Sequence, residues 1–244
     1  MATLKRLSPG SKRLYEYWQG RYRSFLAGAR ASLENAEAFI QTLETRGVKP
    51  NTLGIVARAL RRLGLQVEAP PVEMGEPDYL DVEQVRRLID AAPSLLERTI
   101  VTVLFSSACR PSEVLGLELG DLELGVGVAT VTRKGGRRER VQLGRQGTEA
   151  LREWLAHRRS RSRRVFMDYT YRDVYLLLRK LARAAGIPNF RPHILRHSRV
   201  MHLRKAGHDW ADISEVAGHR SVETTVKIYG RRKAEERAEL LEDF

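Results

Sequence analysis

Pro192-His193-Ile194-Leu195-Arg196-His197-Ser198 is the stretch on which the reading of this chain turns. His193 and Arg196 stand three residues apart, so on a helix they share a face. Thirty-six residues after His193 comes Tyr229, at the end of Gly218-His219-Arg220-Ser221-Val222-Glu223-Thr224-Thr225-Val226-Lys227-Ile228-Tyr229. Upstream lies a third piece, Cys109-Arg110-Pro111-Ser112-Glu113. Together they supply two arginines, two histidines and a tyrosine, a set suited to holding a phosphodiester and attacking it with a phenol oxygen. Each piece alone is weak; their order, spacing and local wording carry the reading.

The rest of the composition agrees with a polyanionic partner. The net charge is +13, and arginine makes up 35 of the 43 basic residues. Arginine presents a planar fork that meets two phosphate oxygens at once. Charge of this size speaks to partners rather than to fold. The chain has 244 residues, 42% of them hydrophobic, enough for one large domain or two ordinary ones. Its single cysteine, Cys109, excludes an intramolecular disulfide and a multi-cysteine metal site, and its apolar surroundings predict a buried thiol. No apolar run reaches membrane-spanning length, and Met1 to Arg6 is not followed by a secretory h-region. A cytoplasmic protein with no membrane contact is expected.

Ala69-Pro70-Pro71-Val72-Glu73-Met74-Gly75-Glu76-Pro77 reads as a linker, since three prolines and a glycine suit neither a helix nor a central strand. Residues 1–68 before it are expected to form a small helical domain. Apolar residues recur at three- and four-residue steps over Ser11–Leu26 and Leu33–Thr45. Lys49-Pro50-Asn51 punctuates, and a short helix follows over Leu53–Leu63. Residues 69–78 are assigned to the linker and 79–244 to a second domain, mostly helical with a small antiparallel sheet. The whole is mainly α in class. Asp81 and Gln84 form a capping-box pair for a helix over 81–91, and another runs over 95–108. Pro111 suits the first turn of a helix over Ser112–Leu117. Val126–Thr132 and Arg140–Leu143 are β-like, joined by the tip Arg133-Lys134-Gly135-Gly136-Arg137-Arg138. Val165-Phe166-Met167 is expected as a third strand. Further helices are predicted over Thr148–His157, Tyr171–Ala185, Ile194–Ala206, Trp210–Ala217, Glu223–Ile228 and Lys233–Leu241. The arginine-rich run over 158–164 reads as a solvated loop.

Cleaving a phosphodiester without a metal requires neutralising its non-bridging oxygens and protonating its leaving oxygen. Arg110 and Arg196 suit the first task. His193 and His219 can hydrogen-bond the phosphate or carry a proton, and Tyr229 can be the nucleophile. A free phenol has a pKa near ~10, so it needs positive charge and a base nearby. Lys134, at the hairpin tip, can reach a leaving 5′ oxygen. Any one of these has an ordinary alternative: a surface salt bridge, a core histidine, a packed tyrosine, an exposed lysine. His197, His202 and His208 are expected to be structural. His193 and His197, four apart, would suit a metal only with a third ligand that the sequence does not offer nearby.

With those residues in view, the chain resembles the tyrosine recombinases, the family of phage integrases, Xer recombinases and Cre. Arg110-Pro111-Ser112-Glu113-Val114-Leu115 resembles the first box, with an acidic residue that helps hold its arginine. Arg133-Lys134-Gly135 followed by Arg138-Glu139-Arg140-Val141 resembles the lysine hairpin. His193-Ile194-Leu195-Arg196-His197-Ser198 matches H-x-L-R-H-[ST], and His219 and Tyr229, ten residues apart, resemble the final box. The resemblance covers 80–244 closely and 1–68 only in type, as a helical core-binding domain. It implies catalytic roles for Arg110, Lys134, His193, Arg196, His219 and Tyr229. It implies a 3′-phosphotyrosyl intermediate on double-stranded DNA, no cofactor, neither ATP nor metal, and no small-molecule substrate. It also implies a homotetramer on two core sites, with the helix over Lys233–Leu241 docking on a neighbour. No room is seen before Ser8 for an arm-binding domain, which points to a Xer-like or compact integrase. A type IB topoisomerase-like enzyme, a DNA-binding relative without catalysis and a histidine–metal hydrolase are the alternatives.

Overall fold

The computed structural model describes residues 7–71, 78–133, 135–167, 169–188, 190–218 and 221–230. The chain divides into two compact units, Met1–Met74 and Gly75–Phe244.

Among its described residues the first unit holds three helices, α1 (Pro9–Leu26), α2 (Leu33–Thr45) and α3 (Pro50–Arg61). Ser8 and Ser32 cap α1 and α2 by accepting from Ser11 N and Asn35 N. α3 begins at Pro50, three residues before the expected Leu53. Proline lacks an N–H but occupies a first-turn position where none is needed, so Pro50 starts the helix instead of separating two. The core joins Tyr22, Phe39, Ile40, Leu43, Leu53, Val56 and Leu60. Tyr22 Oη donates to Ser32 O at 3.2 Å, so its buried hydroxyl is satisfied.

The second unit is built around α5 (Leu95–Ser106), which is charged only in its first turn, at Glu97 and Arg98, and is buried from Thr99 to Ser106. α4 (Val82–Asp90), α6 (Pro111–Leu115), α7 (Gly144–His157) and α9 (His193–Lys205) all pack on it. Asp81 and Gln84 close the expected capping box on α4. α7 comes very close to α5: a Cβ placed on Gly147 would lie 2.2 Å from Ser106 Oγ, so a larger residue there would force that hydroxyl to turn away. α8 (Tyr171–Ala184) packs on α6 and α4, while α10 (Trp210–Ala217) and α11 (Val222–Tyr229) follow α9 in sequence and in space.

The sheet is antiparallel in the order β1 (Leu122–Glu123), β2 (Val128–Thr132), β3 (Arg138–Gln142). The two longer strands pair Thr130 with Arg140 and Thr132 with Arg138, so Arg133 and 135–137 lie beyond the last ladder pair. The third strand is not where the sequence suggested. Val165-Phe166-Met167 forms a buried turn, with Trp154 Nε1 donating to Val165 O at 2.9 Å and Met167 in the left-handed region at φ 54°. Its apolar residues satisfy burial rather than a strand pattern, and the two-residue β1 takes the sheet edge. Together the eleven helices and one small antiparallel sheet among the described residues make the chain mainly α, as expected. The helix expected over Lys233–Leu241 lies outside the described residues. Among the described residues, no helix is long and apolar enough to cross a membrane.

Candidate active site

Arg110 sits immediately before α6, where its backbone N–H and guanidinium both donate to Glu113, at 2.8 Å each. Glu113 is buried at 3% exposure, whereas the Arg110 side chain keeps 39%. The carboxylate therefore fixes the arginine from beneath and leaves its outer edge to solvent. Charge-assisted bonds of this kind are short and directional.

α9 carries the next three groups. His193 begins it with part of its surface open to solvent; desolvation of the covered side of the ring, then the neighbouring Arg196 and Arg110, holds its imidazole below the usual range. Arg196, one turn on, is 4% exposed. Its Nη1 donates to Ala108 O at 2.7 Å, and its buried Nη2 has no hydrogen-bond partner among the described residues. Ala108 itself is left-handed, φ 52°, which turns its carbonyl toward the guanidinium. Burial, and then Arg110, lower the Arg196 pKa. Ser198 and His202 serve a different end. Ser198 Oγ accepts from Leu80 N at 2.8 Å, and His202 Nε2 meets Leu80 O at 2.8 Å. Both tie α9 to the segment that enters α4.

Tyr229 is the last residue of α11, 5% exposed, its ring packed with Val200, Ile213 and Ala217. Its hydroxyl lies 2.5 Å from His197 Nδ1. His197, expected to be structural, is thus on the phenol. The two rings are 5.4 Å apart, and His197 is 6.5 Å from His193. Burial, then His193 and Arg196, lower His197 to about 4, so the ring is neutral at pH 7. Burial pushes Tyr229 up to about 12, against the pull of Arg196 and Arg110. At pH 7 such a phenol is ionised in only about one molecule in 10⁵, so it cannot attack without a proton acceptor and stronger positive charge around it.

Of the expected catalytic residues, the structure gathers Arg110, His193, Arg196 and Tyr229. Lys134 and His219 lie outside the described residues. Arg133 and Glu113 complete the hydrogen-bonded framework. Arg133 drew no attention in the sequence, where it is one arginine of many; its clue was its place directly before Lys134. Among the described residues, no group of three or more His, Cys, Asp or Glu side chains is arranged to hold a metal. The free thiol of Cys109 is buried, as expected, and burial pushes its pKa up.

Arg196 and Arg110 thus both bear electrostatically on a buried phenol, Tyr229. The chain matches the phage integrase family over residues 78–236 and belongs to it. It is similar to the tyrosine recombinase XerA of Thermococcus kodakarensis, 30% identical over 260 residues that take in 96% of this chain and 91% of the relative. It is also similar to tyrosine recombinase XerD of Corynebacterium glutamicum, 31% identical over 205 residues, 72% of this chain and 67% of that one. Among solved structures, a XerA recombinase crystal structure aligns with a TM-score of 0.61 at 22% identity, covering 98% of this chain and 93% of the other. XerH site-specific recombinase bound to difH substrate aligns with a TM-score of 0.75 at 20% identity, covering 94% and 78%. At that identity the structural likeness concerns the fold.

Proposed function

We propose that this chain is a site-specific DNA recombinase of the tyrosine type, Xer-like or a compact integrase, which cuts and rejoins strands of double-stranded DNA. The observation that carries the reading is Arg196: a buried guanidinium anchored on Ala108 O, with a second nitrogen lacking any acceptor among the described residues, beside Tyr229. A phosphate oxygen would satisfy that nitrogen. Arg110 and Arg196 hold the non-bridging oxygens, and His193 and His219 hydrogen-bond the phosphate or carry a proton. Tyr229 Oη attacks phosphorus to give a 3′-phosphotyrosyl bond as the 5′ oxygen leaves with a proton. A 5′ hydroxyl from the partner duplex then reverses the linkage. One phosphoester replaces another at each step, so the cycle needs no ATP, and in this reading the arginines supply the charge neutralisation that a metal would otherwise bring.

In this reading residues 1–68 are the core-binding domain, 69–78 the linker and 79–244 the catalytic domain. The enzyme works in the cytoplasm as a homotetramer on two core sites, with the tail after Tyr229 docking on a neighbour. Incubating the protein with genomic DNA, trapping covalent complexes in denaturant and sequencing the attached fragments tests the reading. A recurrent short site joined through a 3′ phosphate is expected. Recovery of random sequence, with relaxation of supercoils and no strand exchange, would instead mark a topoisomerase-like enzyme.

Lys134 is assigned as the donor of the leaving-group proton. Lys134→Ala should slow cleavage of ordinary DNA but have much less effect on a duplex with a 5′-bridging phosphorothiolate, because sulfur leaves without a proton. Denaturing gels of single-turnover reactions on both substrates measure this. Equal defects on the two would make Lys134 a DNA contact.

A further inference from the structure

Arg133 is held through all three of its guanidinium nitrogens. Its side chain is 5% exposed. Nη1 donates to Glu113 Oε2 at 2.7 Å, while Nε and Nη2 donate to Glu139 Oε1 at 3.2 and 3.0 Å. The Glu113 oxygen it holds is the one that accepts from Arg110 N, and the other Glu113 oxygen accepts from the Arg110 guanidinium. The backbone of Arg133 closes the hairpin tip, with its N–H donating to Arg137 O and its carbonyl accepting from Gly136 N. Lys134 is its next neighbour. On a third side its guanidinium lies against Gly218, where a Cβ would fall 2.0 Å from Nη2. Gly218 ends α10 at φ 60° and leads to His219 in sequence.

One planar fork thus reaches the start of α6, the strand-hairpin and the end of α10. A point charge on a flexible stem cannot span two carboxylates at fixed angles. We propose that Arg133 is a positioning residue for strand cleavage, setting the aim of Arg110 through Glu113. The proposal rests on the reading of Arg110 as a phosphate clamp.

The test compares wild type, Arg110→Ala, Arg133→Lys and the double variant on nicked duplexes bearing the trapped site. One duplex carries the ordinary scissile phosphate, the other a methylphosphonate in its place. Methylphosphonate has lost the negative charge that the clamp neutralises, so a clamp defect shrinks on it. Arg133→Lys keeps a cation beside the two carboxylates and should fold, which thermal melting and DNA binding check. On phosphodiester its cleavage should fall by about 10²-fold, the scale of a ~1 Å misplacement at a reacting centre. That defect should shrink at least several-fold on methylphosphonate, and the double variant should be little slower than Arg110→Ala, since residues acting as one unit are not additive. Arg133→Met, which removes the charge at similar length, should behave the same way wherever it remains folded. If Arg133→Lys cleaves within a few-fold of wild type, Arg133 is no positioning residue. The same holds if its defect is equal on both duplexes and multiplies fully with that of Arg110→Ala; Arg133 then only holds the fold. Normal cleavage by Arg110→Ala would instead overturn the assignment of Arg110 itself, a separate result.

Discussion

Tyr229→Phe is expected to bind DNA as the wild type does and to form no covalent adduct. Only one oxygen is removed, and that oxygen is the proposed nucleophile. The ring stays among Val200, Ile213 and Ala217, so packing is kept. The lost contact with His197 Nδ1 should cost about 1 kcal/mol of stability, the usual net scale of one hydrogen bond. Band shifts and suicide substrates on denaturing gels separate binding from attachment. An adduct that persists would move the nucleophile to another tyrosine. The raised phenol, about 12, and the depressed histidine, about 4, give the resting site a further property. Between these values neither group changes charge, so the isolated protein holds a protonated phenol against a neutral imidazole across the physiological range. Attack then depends on what the bound phosphate and its arginines do to that pair.

Arg196→Met is expected to lower cleavage by about 10²-fold or more, the scale for removing a preorganised oxyanion donor. Its thermal stability should be unchanged or higher. The guanidinium is buried, and no salt bridge to it is found among the described residues. A buried cation without a close carboxylate partner costs desolvation in the resting protein. The exchange therefore removes a liability from the fold and an asset from the chemistry. Arg196→Lys should rescue poorly, because a single ammonium cannot hold Ala108 O and a phosphate oxygen in the same plane. Arg110→Ala should also lose about 10²-fold in cleavage. Single-turnover rates beside melting curves decide the point. A variant that melts lower and cleaves normally would mean that Arg196 is structural.

Much of this was legible because chemistry restricts residue type. A phosphate clamp wants arginine, an attacking phenol must be tyrosine, and both stand in recognisable local wording. Helices with one apolar face, such as Leu33–Thr45, announce themselves by period. What stayed hidden depended on distance in space. His197 sits beside Arg196 in sequence, but its partner is thirty-two residues away on another helix, and no periodicity reports that. Arg133 is chemically identical to thirty-four other arginines; only its burial between Glu113 and Glu139 separates it. Val165-Phe166-Met167 looks like a strand because burial and strand formation favour the same residues, while Leu122–Glu123 is too short to leave a pattern. At Pro50 one residue type serves both to break a helix and to begin one.

Ala108 stands in a backbone region that a side chain makes uncomfortable by roughly 1 kcal/mol, and glycine would relieve it. That torsion is therefore held against the preference of its own methyl group, by the burial of Ala108 and by the bond its carbonyl accepts from Arg196. Carbonyl and guanidinium aim each other, and each is the other's stop. Glycine at 108 would leave that pair in place and lift the strain, so a hardened variant of this protein can begin there.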